Sequence, residues 1–426
     1  MNIVIIGNSA ASTAVIEAIR HHDKQSTIIQ LSDEAFPLYS RCLLSYYIAD
    51  TIPAETLLYR EKDFHQKMGV SLYTGPQYRV TKINVDAHQV ICRNGDKFEY
   101  DRLVICTGSS PKLPKEIKEG IEGVYVLRNQ ADSEIIKKKI PFTKHAVIFG
   151  GGLIGMKAAF ALSTAGLKTT VVVRSGRVLS QMIDEAAGQI ILEQLNGYDI
   201  DVIFHADIKE IITKDNKLAG IVLDNGKTLD CELLLIAKGV EPNTDIVKNT
   251  PIVVNKGIRT NEYLQTNIEN IYAAGDVAEA FDIVLEDYTI NALWTCAVQQ
   301  GRIAGLNIAG IQTAYTGALA MNSLNICNTS LISFGITSPK DESQFKILTA
   351  NNPKTRAYKK IVIGKDNRIK GILLLGKTTN AGVLLSLIQK KLDVSRFEDE
   401  LLNDGFNFGT LLKYEGKEYE QYYKGI

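Results

Sequence analysis

The chain of 426 residues is 45% hydrophobic and 23% charged, with 48 basic and 48 acidic side chains. That composition predicts a globular protein of about two to four domains. A formal net charge of zero supplies no general attraction to nucleic acid or an anionic membrane, so neither is expected as a partner.

Met1-Asn2 leads straight into the apolar run "IVIIG". There is no basic n-region, cleavage site or bilayer-length apolar segment, so a cytoplasmic location is expected. The run ends in "GNSAAS", and "TAVIEAIRHH" follows with helical apolar spacing. "STIIQLSDE" then reads as a second strand, which makes a βαβ unit. Further on, "DKFEYDRLVICTGSSPKLP" predicts an apolar strand ending at Cys106-Thr107-Gly108. A second βαβ unit starts at "HAVIFGGGLIGMKAAFALSTAGLKTTVVVRS", with strands over 145–149 and 168–173. "KTLDCELLLIAKGVEPNTDIV" repeats the earlier strand passage, and "NIYAAGDVAEAF" gives a strand ending in a Gly-Asp turn. "YTINALWTCAVQQGRIAGLNIAG" reads as a helix. From about 317 the texture changes: "KIVIGKDNRIKGILLLG" predicts a hairpin and "AGVLLSLIQKKLD" an amphipathic helix. The tyrosine-rich tail "KYEGKEYEQYYKGI" reads as a docked or frayed terminus.

The cysteines are Cys42, Cys92, Cys106, Cys231, Cys296 and Cys327, and none forms a CxxC pair. The histidines show no HxxH or HxxxH spacing. No metal site is expected. A redox pair assembled from distant cysteines stays open.

The glycine turns carry the chemistry. A chain that must turn sharply and approach a pyrophosphate needs glycine, and the phosphates then meet free N–H groups at a helix start. Gly150, Gly152 and Gly155, with Leu153 and Ile154 between the last two, complete GxGxxG in its strand–turn–helix setting. In the first unit Gly7 is present. Ser9 stands at the second glycine position and Ser12 at the third, with Ala10 and Ala11 between them. Small residues still allow close approach, although Ser9 also fits an ordinary helix cap.

The residue after the second strand reads the ribose. In the second unit that acid is missing, and Arg174 and Arg177 follow Val173. Arginines there suit a 2′-phosphate and favour NADPH over NADH, unless both are simply solvated. In the first unit Asp33 and Glu34 are available for the adenosine ribose of another nucleotide.

The order of these motifs resembles the two-dinucleotide-binding flavoproteins of the pyridine nucleotide–disulfide oxidoreductase superfamily. It is similar above all to the branch of rubredoxin and ferredoxin reductases, nitrite reductase flavoproteins and NADH oxidases. The resemblance implies an α/β fold with two Rossmann-like domains and a C-terminal α+β domain. It implies a split FAD domain over 1–112 and 243–316, an NAD(P) domain over 113–242, and a dimer-forming domain over 317–426. Thr107 and Gly108 match the strand end near the flavin nucleotide. Gly275 and Asp276 match the turn whose acid bonds the ribitol. Trp294 and Thr295 match the start of a helix facing the flavin pyrimidine edge, where the helix dipole favours negative charge. Gly239 is placed at the nicotinamide cofactor. FAD on the first unit and NADPH (or NADH) on the second follow from the resemblance.

The branch also implies a flavin-lining segment, here Arg41, Cys42 and Ser45. Two positions depart from its pattern. Tyr46 stands where the branch carries lysine, and Lys157 where it carries the partner glutamate. Either Lys157 brings positive charge to the flavin and raises its potential, or it lies on the outer face of its helix. Cys42 aligns with a redox cysteine in some members and an apolar residue in others. Arg41 before it and Leu43 after it resemble the electron-transfer members, although Arg41 would also lower a thiol pKa.

The expected activity is hydride passage between nicotinamide C4 and flavin N5, with electrons exchanged with a small iron–sulfur protein of the rubredoxin or ferredoxin type. One alternative is an NAD(P)H oxidase, peroxidase or disulfide reductase using Cys42. Another is a flavin-bearing interaction subunit with little turnover of its own.

Overall fold

The computed structural model describes residues 1–115, 117 and 120–414. Residues 415–426 of the tyrosine-rich tail lie outside the described residues.

The first run, Asn2–Ile6, is buried from Ile3 onward on both faces. Such a strand belongs in the middle of a covered parallel sheet. It pairs in parallel with Thr27–Ser32 and with Arg102–Ile105; Val70–Thr74 and Ile271–Ala273 complete five strands. Alternation divides its residues. Ile3 and Ile5 pack with Val15, Ile16 and Ile19 of the helix Ala10–His22. Val4 and Ile6 pack with Val80, Ile83 and Val90 of a small antiparallel sheet. The helix Trp294–Ile308 lies against Ala10–His22, and a Cβ on its Gly301 would come within 2.1 Å of the Ala11 carbonyl.

The second unit repeats the plan. His145–Phe149 pairs in parallel with Lys168–Val173 and Leu233–Ile236, flanked by Ile200–Phe204 and Val124–Val126. The helix Leu153–Thr164 follows the first of these strands. Val147, Phe149 and Val172 form a core with Ile208, Leu218 and Ile221 of a three-stranded antiparallel sheet.

The C-terminal segment forms a five-stranded antiparallel sheet in the order Met321–Ile326, Thr329–Gly335, Ile369–Leu375, Ala357–Gly364, Phe345–Asn352. The expected hairpin pairs the last two of these strands in chain order, Ala357–Gly364 and Ile369–Leu375, with a register shift at Val362/Ile363. The helix Ala381–Gln389 buries Val383, Leu384, Leu387 and Ile388.

The chain divides into two compact units. One holds Met1–Arg174 and Asp199–Ala318, and thus both parallel sheets; the other joins Ser175–Tyr198 to the chain from Leu319 onward. Buried polar contacts explain the second grouping. Asp184 Oδ1 accepts from Ala187 N–H and caps the helix Glu185–Leu195, while Oδ2 accepts from Tyr358 Oη at 2.6 Å and pairs with Lys360 Nζ at 3.2 Å. Lys360 is 3% exposed, and an ammonium so placed needs such partners. Thr337 Oγ1 donates to Met182 O, and Thr329 Oγ1 donates to Gln194 Oε1.

Candidate functional site

The two glycine turns have the same local construction. Gly7 has φ +115°, and a Cβ there would stand 2.2 Å from the Cys106 carbonyl oxygen. Gly150 has φ +123°, and its Cβ would stand 2.3 Å from that of Ala237. In each case the chain passes between its own sheet and the next strand end, with room for hydrogen alone. Gly155 lets the helix close onto its turn, since a Cβ there would lie 1.9 Å from the Gly150 carbonyl oxygen.

At the first turn Ser12, 1% exposed, is turned inward. Its Oγ accepts from Ser9 N–H and donates to Ser9 O, both at 2.9 Å. Ala10 and Ala11 are buried with it. The fully buried Gln30 steadies the turn from the neighbouring strand by donating to Gly7 O at 2.8 Å. At the second turn Gly152 is the helix N-cap, with open space around it. It has no side chain to cap the N–H groups of Leu153, Ile154 and Gly155, and these remain for an incoming anion. Both turns, with no room for a Cβ at Gly7 or Gly150 and with N–H donors at the helix start, fit dinucleotide phosphates.

Two acids were expected beside the first turn. Glu34 accepts from Tyr39 Oη at 2.5 Å and pairs with Arg41. Asp33 is exposed and has no side-chain partner among the described residues. Of the two, Asp33 is the one left free. Arg41 also donates to the Arg128 carbonyl at 2.9 Å.

Asp276 sits beyond Gly275, whose N–H donates to Gln300 Oε1 at 2.8 Å. Its Oδ2 accepts from Ser109 Oγ and from Arg128 Nη2, each at 2.8 Å. Arg128 Nε in turn donates to Ser109 O at 2.9 Å. Oδ1 has no hydrogen-bond partner among the described residues, which fits it to accept from a hydroxylated chain such as ribitol. Thr107 and Gly108 are locked by Asn243. Thr107 Oγ1 donates to Asn243 O, Asn243 Nδ2 donates to Thr107 O, and Asn243 N–H donates to Gly108 O. Arg128 and Asn243 were not singled out in the sequence. Neither sits in a spaced motif; the one signal was a lone arginine shortly before the Asn129 helix cap.

Trp294 is the first residue of its helix and meets Tyr59 edge-on, with centroids 4.9 Å apart. Thr295 beside it is exposed. Tyr59, Leu58, Arg60, Phe64, Lys67 and Met68 line an open groove of 580 Å³. Gly239 has φ +96° and open space around it.

Lys157 does not point away. Its Nζ donates to the Cys42 carbonyl at 2.8 Å and lies 5.0 Å from the Tyr46 ring centroid. Burial lowers its pKa, with Cys42 pulling the other way. Cys42 is exposed and Ser45 buried. Burial pushes the Cys106 and Cys231 thiols up to about 12, which keeps them protonated at neutral pH.

Arg174 is 82% exposed. Arg177 is held by its own loop on two of its three nitrogens. Its Nε donates to Ile183 O, and its Nη2 to Ser180 O and Ser338 Oγ, all inside the second compact unit. Among the described residues no His/Cys/Asp/Glu group could hold a metal ion. No helix there is long and apolar enough to cross a membrane.

The family model for pyridine nucleotide-disulphide oxidoreductases matches residues 1–301, and that for the rubredoxin NAD+ reductase C-terminal domain matches residues 321–392. The chain is 29% identical over 402 residues to an NADH oxidase of Methanocaldococcus jannaschii, covering 88% of each chain. It is 29% identical over 398 residues to the NADH-dependent phenylglyoxylate dehydrogenase subunit epsilon of Aromatoleum evansii, covering 92% of each. Among solved structures, a NAD-dependent persulfide reductase from A. fulgidus superposes with TM-score 0.88 at 24% identity, covering 94% of this chain and 79% of that one. Putidaredoxin reductase in its covalent putidaredoxin complex superposes with TM-score 0.84 at 22% identity, covering 92% and 94%. At these identities the superpositions establish the fold.

Proposed function

Because the chain belongs to the pyridine nucleotide-disulphide oxidoreductases, NAD(P)H-dependent flavin enzymes, we propose that it exchanges electrons between a nicotinamide dinucleotide and a small iron–sulfur protein. FAD, when bound, supplies the step between them, since it takes two electrons together and releases them singly. The residues that would hold it are the Gly7–Ser12 turn, Asp33, Thr107, Gly108 and Asp276. Gly150–Gly155 would hold the nicotinamide dinucleotide. Arg128 and Ser109 fix the Asp276 carboxylate, so its free oxygen meets the ligand already oriented.

The observation that carries the acceptor reading is the Trp294–Tyr59 pair beside an open groove. An aromatic pair at the surface suits single-electron exchange with a docked protein. The match to the rubredoxin reductase C-terminal model supports the same reading, as does the name of the putidaredoxin complex among the structural neighbours. A homodimer built on the C-terminal unit belongs to this reading. Anaerobic reduction by NADH and by NADPH, then reoxidation with rubredoxin, ferredoxin, disulfides and oxygen, tests it. Reoxidation by the iron–sulfur proteins is expected to be fastest.

A second reading has one specific observation in its favour. Cys42 is exposed, with a lysine ammonium held at its own carbonyl. Disulfide or persulfide reduction through Cys42 follows from it. Loss of that turnover in Cys42→Ser is its test.

A further inference from the structure

In a sheet of this kind the end of the second strand carries the group that reads the ribose 2′ position. Here Val173 and Arg174 stand there without an acid. The carboxylate comes from the next strand end instead. Asp207, just beyond Ile200–Phe204, places Oδ2 3.9 Å from Arg174 Nε and Oδ1 3.5 Å from Lys238 Nζ.

The three groups are unequally free. Arg174 is 82% exposed, Asp207 34% and Lys238 25%. Asp207 is fixed by its backbone: its N–H donates to Asp224 Oδ1 at 3.1 Å, and its carbonyl accepts from Asp224 N–H at 3.0 Å. Lys238 is fixed by Phe149, whose ring centroid lies 4.1 Å from Nζ. Phe149 immediately precedes the Gly150 turn. The cluster therefore lies along the strand ends that carry the phosphate cradle.

We propose that Asp207 sets the balance between NADH and NADPH. Its carboxylate is the acceptor for a ribose 2′-hydroxyl, the role of the missing acid, and it counter-charges the two cations that would otherwise favour a 2′-phosphate. The site then takes both nucleotides, with one carboxylate and Arg174 pulling in opposite directions. This rests on the reading that the second glycine turn holds a nicotinamide dinucleotide.

The experiment is calorimetric titration of the FAD-loaded protein with NADH, NADPH, 5′-AMP and adenosine 2′,5′-bisphosphate. In Asp207→Asn the bisphosphate and NADPH bind more tightly and AMP and NADH more weakly. The ratio moves by roughly fivefold or more, the worth of a unit charge about 4 Å away in a solvated site. In Arg174→Gln the ratio moves the other way. Arg174 is exposed, so that variant folds even if the Asp207 substitution disturbs Asp224. An unchanged ratio in either folded variant overturns the proposal. Failure of the unsubstituted protein to bind either dinucleotide overturns the reading beneath it.

Discussion

Lys157 and Tyr46 meet across two helices: the Lys157 ammonium lies 5.0 Å from the Tyr46 ring centroid and donates to the carbonyl of Cys42. The branch it resembles places a lysine and a glutamate at these two positions in the opposite order. Here the charge has moved to the other helix, and an aromatic face has replaced the carboxylate. Among the described residues no acid bonds this ammonium, and its partners there are a carbonyl and a ring. Lys157→Met should lower the flavin midpoint potential by about 20 mV or more, which corresponds to about 1 kcal/mol on a two-electron couple. The fold should lose no more than about 1 kcal/mol, the scale of one cation–π contact. A spectroelectrochemical titration without a shift would remove Lys157 from the flavin's electrostatics.

The same residue gives a pH dependence. Burial lowers the Lys157 pKa in the folded protein, so the unfolded chain binds that proton more tightly. Below the folded value the burial penalty is present in full. It is relieved as pH rises from there toward the ordinary lysine value, and the native state gains over that window. The potential difference between the wild type and Lys157→Met should fade across the same window, because the charge is being lost. A difference that stays constant to the ordinary lysine value would contradict this.

Arg128 should be needed to retain FAD. Arg128→Met removes two charge-assisted donors, one to Asp276 and one to Ser109 O. Hydrogen bonds to charged groups contribute about 1.5–3 kcal/mol, so FAD affinity should fall by roughly tenfold to a hundredfold. Arg128→Lys should recover little, because one ammonium cannot reproduce the fork that meets both oxygens. Equilibrium dialysis of FAD against the variants measures this; wild-type affinity in Arg128→Met would show that FAD retention does not depend on Arg128.

The two turns should be separable. Gly150→Ala places a Cβ 2.3 Å from the Ala237 carbonyl oxygen in a left-handed conformation. Nicotinamide nucleotide binding should be lost while FAD content stays at the wild-type level. Gly7→Ala meets the equivalent obstacle at Cys106 O and should lose FAD. Flavin absorbance and nucleotide titration on the two purified variants decide the matter, and loss of both cofactors from each would mean that the fold had failed instead.

What was legible in the sequence follows from local geometry. Gly150–Gly155 was readable because each glycine answers a steric demand set within its own turn. The strands of both sheets were readable because burial on two faces leaves continuous apolar runs. Arg128 and Asn243 were not: each acts on residues distant in the chain, and no spacing rule connects them to Asp276 or Thr107. For Arg177, spacing reports only its position after the strand. The carbonyls of Ser180 and Ile183, which its own loop turns toward it, appear only in three dimensions. Likewise no change of composition at Ser175 signals that 175–198 joins the C-terminal unit through Asp184, Tyr358 and Lys360. Asp33 and Glu34 were indistinguishable as neighbours in sequence until Arg41 and Tyr39 claimed one of them.

In the proposed function, electrons pass to a protein acceptor without a cysteine relay. Stopped-flow reoxidation of the NADPH-reduced enzyme by rubredoxin or ferredoxin, in the wild type and in Cys42→Ser under anaerobic conditions, tests it most directly. Rapid reoxidation at the same rate in both is expected. Reoxidation by disulfides or persulfides alone, abolished in Cys42→Ser, would contradict it.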